Sequence, residues 1–188
     1  MPMEKTKRLR SIAVYLGSAK TEDPHFRRAV VDWAECLARH EITLVFGGSN
    51  SGMMALLADT VLACGGRAVG VFTRNLPERL IRHDLTQAIF TDDLAERKSA
   101  MLRLADAAVA LPGSIGTFDE LFDALARRKL GLIRHPIGVL NVDGFFDSVF
   151  ELLRRSVAAG FGDPRTAAML QCGRTPEELL LRLQERLT

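Results

Sequence analysis

Three short segments hold residue types that can bind an anion and move a proton. The first is Gly47-Gly48-Ser49-Asn50-Ser51-Gly52, running straight into Met53 and Met54. The second is Glu96-Arg97-Lys98-Ser99-Ala100-Met101. The third is Leu111-Pro112-Gly113-Ser114-Ile115-Gly116-Thr117-Phe118-Asp119-Glu120. A smaller turn, Gly17-Ser18, belongs with them. Glycine lets a backbone approach a ligand closely, and the start of a helix presents unpaired N–H groups to an anion. A phosphate suits such turns. Arg97 and Lys98 are candidates to neutralise that phosphate or orient a sugar. Glu120, beside the third turn, is a candidate general base or stabiliser of a developing cation. Met53, Met54 and Met101 read as pocket wall or core.

Each piece also has a plainer explanation. Glycines make tight strand-to-helix turns without any ligand. Glu96-Arg97-Lys98 fits a solvated charge run. Thr117-Phe118-Asp119-Glu120 fits a capping box, in which Thr117 accepts from helix N–H groups and Glu120 reaches back to the cap. Asp119 then suits the first turn of the helix dipole. Three glycine-rich turns on one edge weigh toward a ligand. The dinucleotide pattern GxGxxG and the P-loop pattern GxxxxGK[ST] are both absent, so no conventional NAD or ATP site is indicated. His25, His40, His83 and His135 show no metal-binding spacing, and no metal site is expected. Cys36, Cys64 and Cys172 form no CxxC pair and read as buried free thiols of a reducing compartment.

These candidates need elements to hold them. Apolar runs at 11–16, 42–46, 68–72, 107–111 and 137–141 read as strands, with a shorter one at 88–91. Helical patterns cover 24–39, where Phe26, Val30, Trp33 and Leu37 recur at spacings of three and four, and also 53–63, 117–129 and 145–158. Asp92 or Asp93 opens another helix through Leu104, and Thr175-Pro176 opens the last. Residues 73–84 and 160–174 read as loops. Strands alternating with helices predict an α/β fold with a doubly wound parallel sheet, helices covering both faces in three α/β/α layers. In such sheets ligands bind beyond the carboxyl ends of the strands, where all the glycine turns fall.

Composition narrows the class of partner. The 188 residues carry 25 basic and 23 acidic side chains, a net charge of +2, with 47% hydrophobic residues. One domain over 1–188 is expected, with 1–10 as a flexible basic tail. Near-neutrality disfavours a nucleic-acid binder. No apolar run approaches the roughly 20 residues of a membrane span, and no secretory leader is visible. A cytoplasmic protein acting on a small molecule, with no nucleic acid and no membrane, is the expectation.

Taken in order, the three segments resemble the LONELY GUY (LOG) family, whose hallmark is PGGxGTxxE preceded by RKxxM. The similarity runs over about 12–162 and extends to Leu130-Gly131 and to Asn141-Val142-Asp143-Gly144 before Phe145-Phe146. It implies a Rossmann-like homodimer that cleaves the N-glycosidic bond of nucleoside 5′-monophosphates such as AMP or a cytokinin riboside 5′-monophosphate. The products are a free base and ribose 5-phosphate, with no metal and no redox cofactor. The family's essential arginine and glutamate fall on Arg97 and Glu120. Its phosphate and ribose contacts fall on the glycine-rich turns and Thr117.

The chain departs from the family pattern at Ser114, the second hallmark glycine, and at Ser49 and Ala55, where glycine is common. Thr73 stands for a common proline. Ala126-Arg127-Arg128-Lys129 replaces a TWAQ segment. Glu78 is a candidate match to a substrate-binding acid. A carrier or sensor of a phosphorylated ligand, nucleotide or molybdenum cofactor, is the alternative that Ser114 and the lost TWAQ support. The name lysine decarboxylase, often attached to the family, fits less well. That chemistry normally uses pyridoxal phosphate on a lysine, and no segment here resembles such a site.

Overall fold

The structure, a computed structural model, describes residues 8–187. Seven strands run parallel: β1 (Ser11–Tyr15), β2 (Thr43–Phe46), β3 (Ala68–Thr73), β4 (Gln87–Thr91), β5 (Ala107–Ala110), β6 (Ile137–Leu140) and β7 (Leu170–Gly173). Their order across the sheet is β4-β3-β2-β1-β5-β6-β7. The connections carry α1 (Pro24–Arg39), α2 (Gly52–Ala63), α3 (Leu94–Arg103), α4 (Ile115–Lys129), α5 (Asp147–Ala158) and the short α6 (Pro164–Ala167), and α7 (Pro176–Glu185) follows β7.

Side-chain alternation along the strands sets the layers. In β1, Ile12 and Val14 join a core with Val30, Trp33 and Leu37 of α1, Leu57 and Val61 of α2, and Leu179 and Leu183 of α7. Ala13 and Tyr15 face the other core, with Met101 of α3, Leu121 and Leu125 of α4 and Val149 of α5. Because both faces are covered, the central strands read as continuous apolar runs. The chain leaves β1 for β2, β3 and β4, then returns to the far side of β1 as β5. Tyr15 pairs with Ala110 there, and Val14 with Phe46 on the other side. The carboxyl ends of β1 and β5 therefore flank a topological switch point.

The expected α/β sheet is present, but four local expectations are corrected. Residues 160–174 contain α6 and the edge strand β7. Only Leu170 and Gly173 of that strand are buried, so it lacks the apolar run that marks the central strands. Residues 73–84 hold a short 3-10 turn at 78–80, and Ile81 and Arg82 within that loop are buried. Residues 8–10 are anchored rather than loose: Leu9 is buried, its N–H donates to Gln184 Oε1 at 3.0 Å, and Arg10 N donates to Asp106 Oδ2 at 2.8 Å. Residues 1–7 of the expected tail lie outside the described residues. Of the three free cysteines, Cys36 is buried, but Cys64 is exposed and Cys172 half-buried. Among the described residues, no helix is long and apolar enough to cross a membrane.

Candidate functional site

The first element of the site is the start of α4. The capping-box pattern predicts a start at Thr117, but the helix begins at Ile115, with Ser114 before it. Ser114 has φ −112° and ψ −162°, extended backbone open to any residue, and its side chain makes no cap bond. Thr117 is thus the third helical residue and Glu120 lies nearly a turn further in. The first helical bond runs from Phe118 N to Ser114 O at 3.1 Å. That leaves the N–H groups of Ile115, Gly116 and Thr117 without intrahelical acceptors. Thr117 Oγ1 is buried and has no hydrogen-bond partner. The early start follows from tertiary packing. Gly113 Cα lies 3.4 Å from where a Cβ on Gly17 would sit, and a Cβ on Gly113 would collide with Thr117 Oγ1 and lie 2.7 Å from Gly17 N. The ends of β1 and β5 touch through glycine, and the chain must turn into the helix at once.

The second element is α3, which Asp93 starts by accepting from Glu96 N at 2.7 Å. Glu96 in turn accepts from Asp92 N at 2.7 Å. One residue on, Arg97 donates through Nε to Val71 O at 2.9 Å and through Nη1 to Glu120 Oε1 at 3.3 Å. The side chains of this pair are 15% and 8% exposed, so it is sheltered from screening by solvent. Burial pushes the Glu120 carboxyl up to about 7, and the opposing pull of Arg97 is smaller. Burial, and next the Glu120 charge, also pushes the Tyr15 phenol well above its usual range. Lys98 donates to both Asp119 oxygens at 3.0 Å and lies 3.7 Å from Asp123. Its charge is engaged within the protein.

A cleft of about 150 Å³ unites these parts. It is lined by Gly17, Ser18, Arg97, Lys98, Ser114, Gly116, Thr117 and Glu120 from the expected set, with Leu16, Met54, Leu94 and Asp119 added. A neighbouring, largely apolar cleft of about 260 Å³ shares Gly17 and Ser114 and adds Pro112, Gly113, Met53, Phe26 and Phe145. Met53 therefore sits on the apolar side, and Met54 occupies the wall near Arg97. Met101 is fully buried beneath α3 and reaches neither cleft. Ile115 is 82% exposed and lines neither. Glu78 is exposed and pairs with His83 at 3.1 Å.

The 47–52 turn supports the cleft rather than opening onto it. A Cβ on Gly47 would collide with Arg97 Nη2. Gly48, at φ +73°, lies against the Phe72 ring, and Gly52, at φ +54°, against Ser18 O and Ala19. Ser49 forms an antiparallel bridge with Ile81. Next along the chain is Arg82, which sequence reasoning passed over. It is 6% exposed and paired with Asp59 and Asp84, each at 2.6 Å. No motif marks it, since its two partners lie 23 residues before it and two after.

A doubly wound sheet that leaves helix N–H groups free at its switch point, beside a buried arginine–carboxylate pair, defines an α/β protein whose site can hold an anion next to a titratable carboxyl group. Comparison with known proteins narrows this class. Residues 54–183 match the family model described as possible lysine decarboxylase. The chain is 36% identical over 178 residues to a probable cytokinin riboside 5′-monophosphate phosphoribohydrolase of Oryza sativa subsp. japonica, covering 94% of this chain and 77% of that protein. It is 33% identical over 185 residues to a cytokinin riboside 5′-monophosphate phosphoribohydrolase of Arabidopsis thaliana, covering 97% and 85%. A molybdenum cofactor binding protein from Rippkaea orientalis shares the fold, with a TM-score of 0.70 at 20% identity over 96% of this chain and 99% of that one. The chain belongs to the LOG family of phosphoribohydrolases.

Proposed function

We propose that this protein hydrolyses the N-glycosidic bond of a nucleoside 5′-monophosphate, AMP or a cytokinin riboside 5′-monophosphate, to the free base and ribose 5-phosphate. The observation that carries this is the buried Arg97–Glu120 pair, set in one cleft with the open start of α4. The 5′-phosphate sits on the N–H groups of Ile115, Gly116 and Thr117, with Thr117 Oγ1 as a further donor and Gly17-Ser18 as the opposite wall. That seat brings C1′ toward Glu120. As the C1′–N bond breaks, its electron pair leaves with the base and positive charge grows on the sugar. The ionised Glu120 faces that charge and takes a proton from the attacking water, whose oxygen bonds to C1′. The departing base gains a proton from solvent and Glu120 returns to solvent the one it took, so that one water is consumed. Arg97, whose Nε donates to Val71 O, holds the carboxylate in place. Gly47, Gly48, Ser49 and Gly52 act from behind, by shaping the wall that carries Arg97 and Ser18. Lys98 fastens α3 to α4 through Asp119.

The same reading includes a cytoplasmic homodimer whose partner is the small nucleotide, not nucleic acid or a membrane. Leu94 and Ile115, 62% and 82% exposed beside the cleft, support a second subunit there. Light scattering on the eluting protein tests the dimer. The activity is tested by incubation with AMP and with an N6-prenylated AMP. Release of base and ribose 5-phosphate is expected from at least one. Nucleotide binding without any release from either would remove the enzymatic reading.

A further inference from the structure

The amino ends of β1, β5 and β6 border an open concavity of about 390 Å³, at the opposite edge of the sheet from the cleft. Its charged lining is Arg8, Arg10, Arg134 and Asp106, with Ala105, His135 and Leu187 completing the wall. Three arginines against one aspartate leave 3 − 1 = +2, as large as the net charge of the whole chain. Outside this lining the chain's basic and acidic side chains cancel in number, 25 − 3 = 22 against 23 − 1 = 22.

The one carboxylate is committed to the backbone. Asp106 Oδ2 accepts from Arg10 N at 2.8 Å, from Ser11 N at 3.1 Å and from Ser11 Oγ at 3.4 Å. Arg8 donates to His40 O at 2.9 Å. The guanidinium groups of Arg10 and Arg134 have no hydrogen bond and no ion pair with any described residue. Just behind, Arg128 is fastened to His135 O, and burial together with the Arg186 charge pushes its pKa down. Cationic groups crowded into a concave site repel one another unless an anion joins them. Guanidinium forks match phosphate oxygens two at a time.

We propose that this cavity is a second anion site, taking a small oligophosphate: inorganic pyrophosphate or the phosphate chain of a nucleoside di- or triphosphate. A strand of five residues separates it from the cleft by about 17 Å, so one small ligand does not fill both. Its compact, singly clustered basic lining favours a small ligand over a nucleic-acid strand, which follows an extended basic stripe.

The test is calorimetric titration of inorganic pyrophosphate into the full chain at low salt, in wild type and in Arg10→Ala/Arg134→Ala. Both side chains are exposed and unpaired, so a thermal melt is expected to show the double variant folded. Arg134→Gln serves if it is not. The expected result is a binding event in wild type that weakens about tenfold or more in the variant and fades with salt. Any binding at the α4 turn appears as a separate event that persists. ATP is expected to compete for the lost event. No pyrophosphate binding by wild type would overturn the proposal, as would full affinity in the folded variant, or binding of an oligonucleotide with none of pyrophosphate.

Discussion

After β2, the glycines of the 47–52 turn are packed against the protein itself: Gly47 against the Arg97 guanidinium, Gly48 against the Phe72 ring, Gly52 against the backbone of Ser18 and Ala19. After β5, Gly113 is packed in the same way against Thr117 and Gly17, but a Cβ on Gly116 would meet nothing within 4 Å. The N–H groups around Gly116 stay open to the cleft. Both turns are rich in glycine and both lead into a helix, yet of the two only the second leaves backbone open to the cleft. Glycine marks a close approach to something. Whether that something is protein or ligand depends on the side chains that arrive from other elements, here Arg97 from α3 and Phe72 from β3.

The largest expected effect lies at the open turn. Glu120→Gln keeps the shape and removes the ionisable group, and we expect kcat/KM for the nucleotide to fall about a thousandfold. Retained turnover would reduce Glu120 to a structural partner of Arg97. The same variant tests the pH argument. The Glu120 carboxyl is raised from its ordinary 4.5 to about 7 in the folded protein, so the carboxylate is disfavoured by folding. The stability it contributes is complete below the ordinary value and is lost as pH rises through about 7. Between pH 4 and pH 8 the wild type is expected to lose about 3 kcal/mol relative to Glu120→Gln, measured by urea unfolding. Because the mechanism needs the ionised form, kcat/KM of the wild type is expected to rise with pH up to about 7.

The closed turn is expected to respond in stability first. In Gly48→Ala the new methyl meets the Phe72 ring at a positive φ, and we expect a loss of about 2–3 kcal/mol in denaturant unfolding. Gly47→Ala is the milder and more telling change. Its methyl meets the far end of Arg97, which can swing aside. We expect stability to hold within about 1 kcal/mol while kcat/KM drops about 10- to 100-fold, as the guanidinium leaves Glu120. Equal losses in Gly47→Ala and Gly48→Ala would mean that both glycines serve packing alone.

Much of this contrast lay beyond local pattern. The strands and α1 were legible because their apolar spacing repeats over a full element, and α1 spans 24–39 as its periodicity predicts. Arg97, Glu120, Thr117 and the Gly113–Gly116 turn were legible as an ordered set, and Arg97, Ser114, Gly116, Thr117 and Glu120 of it converge on one cleft. The capping box at Thr117 was misread because a four-residue pattern carries no knowledge of the Gly17–Gly113 contact that starts α4 early. Met53 and Met54 are adjacent, and only the helix phase of α2 decides which one faces Arg97. Strand β7 was missed because an edge strand with two buried residues leaves little trace. Arg82 was missed because its role rests on Asp59, which the chain brings near only after α2 and β3 are in place.

The smallest effect separates the turns most cleanly. Gly116 is the second residue of α4, its φ lies outside the left-handed region, and the space beside it is empty. Alanine there costs no clash and restricts the unfolded chain, so Gly116→Ala is expected to stabilise the fold by up to about 1 kcal/mol, read as a small rise in Tm. That empty space adjoins the cleft, however, and a phosphate seated on the Ile115–Thr117 N–H groups has to come within hydrogen-bond distance of the same backbone. The added methyl therefore competes with the ligand, and KM is expected to rise several-fold while Tm holds or increases. Opposite signs for stability and affinity at one glycine are what an open, ligand-facing turn requires. A fall in Tm would place Gly116 with the packed glycines of the 47–52 turn, and an unchanged KM would move the phosphate off the start of α4.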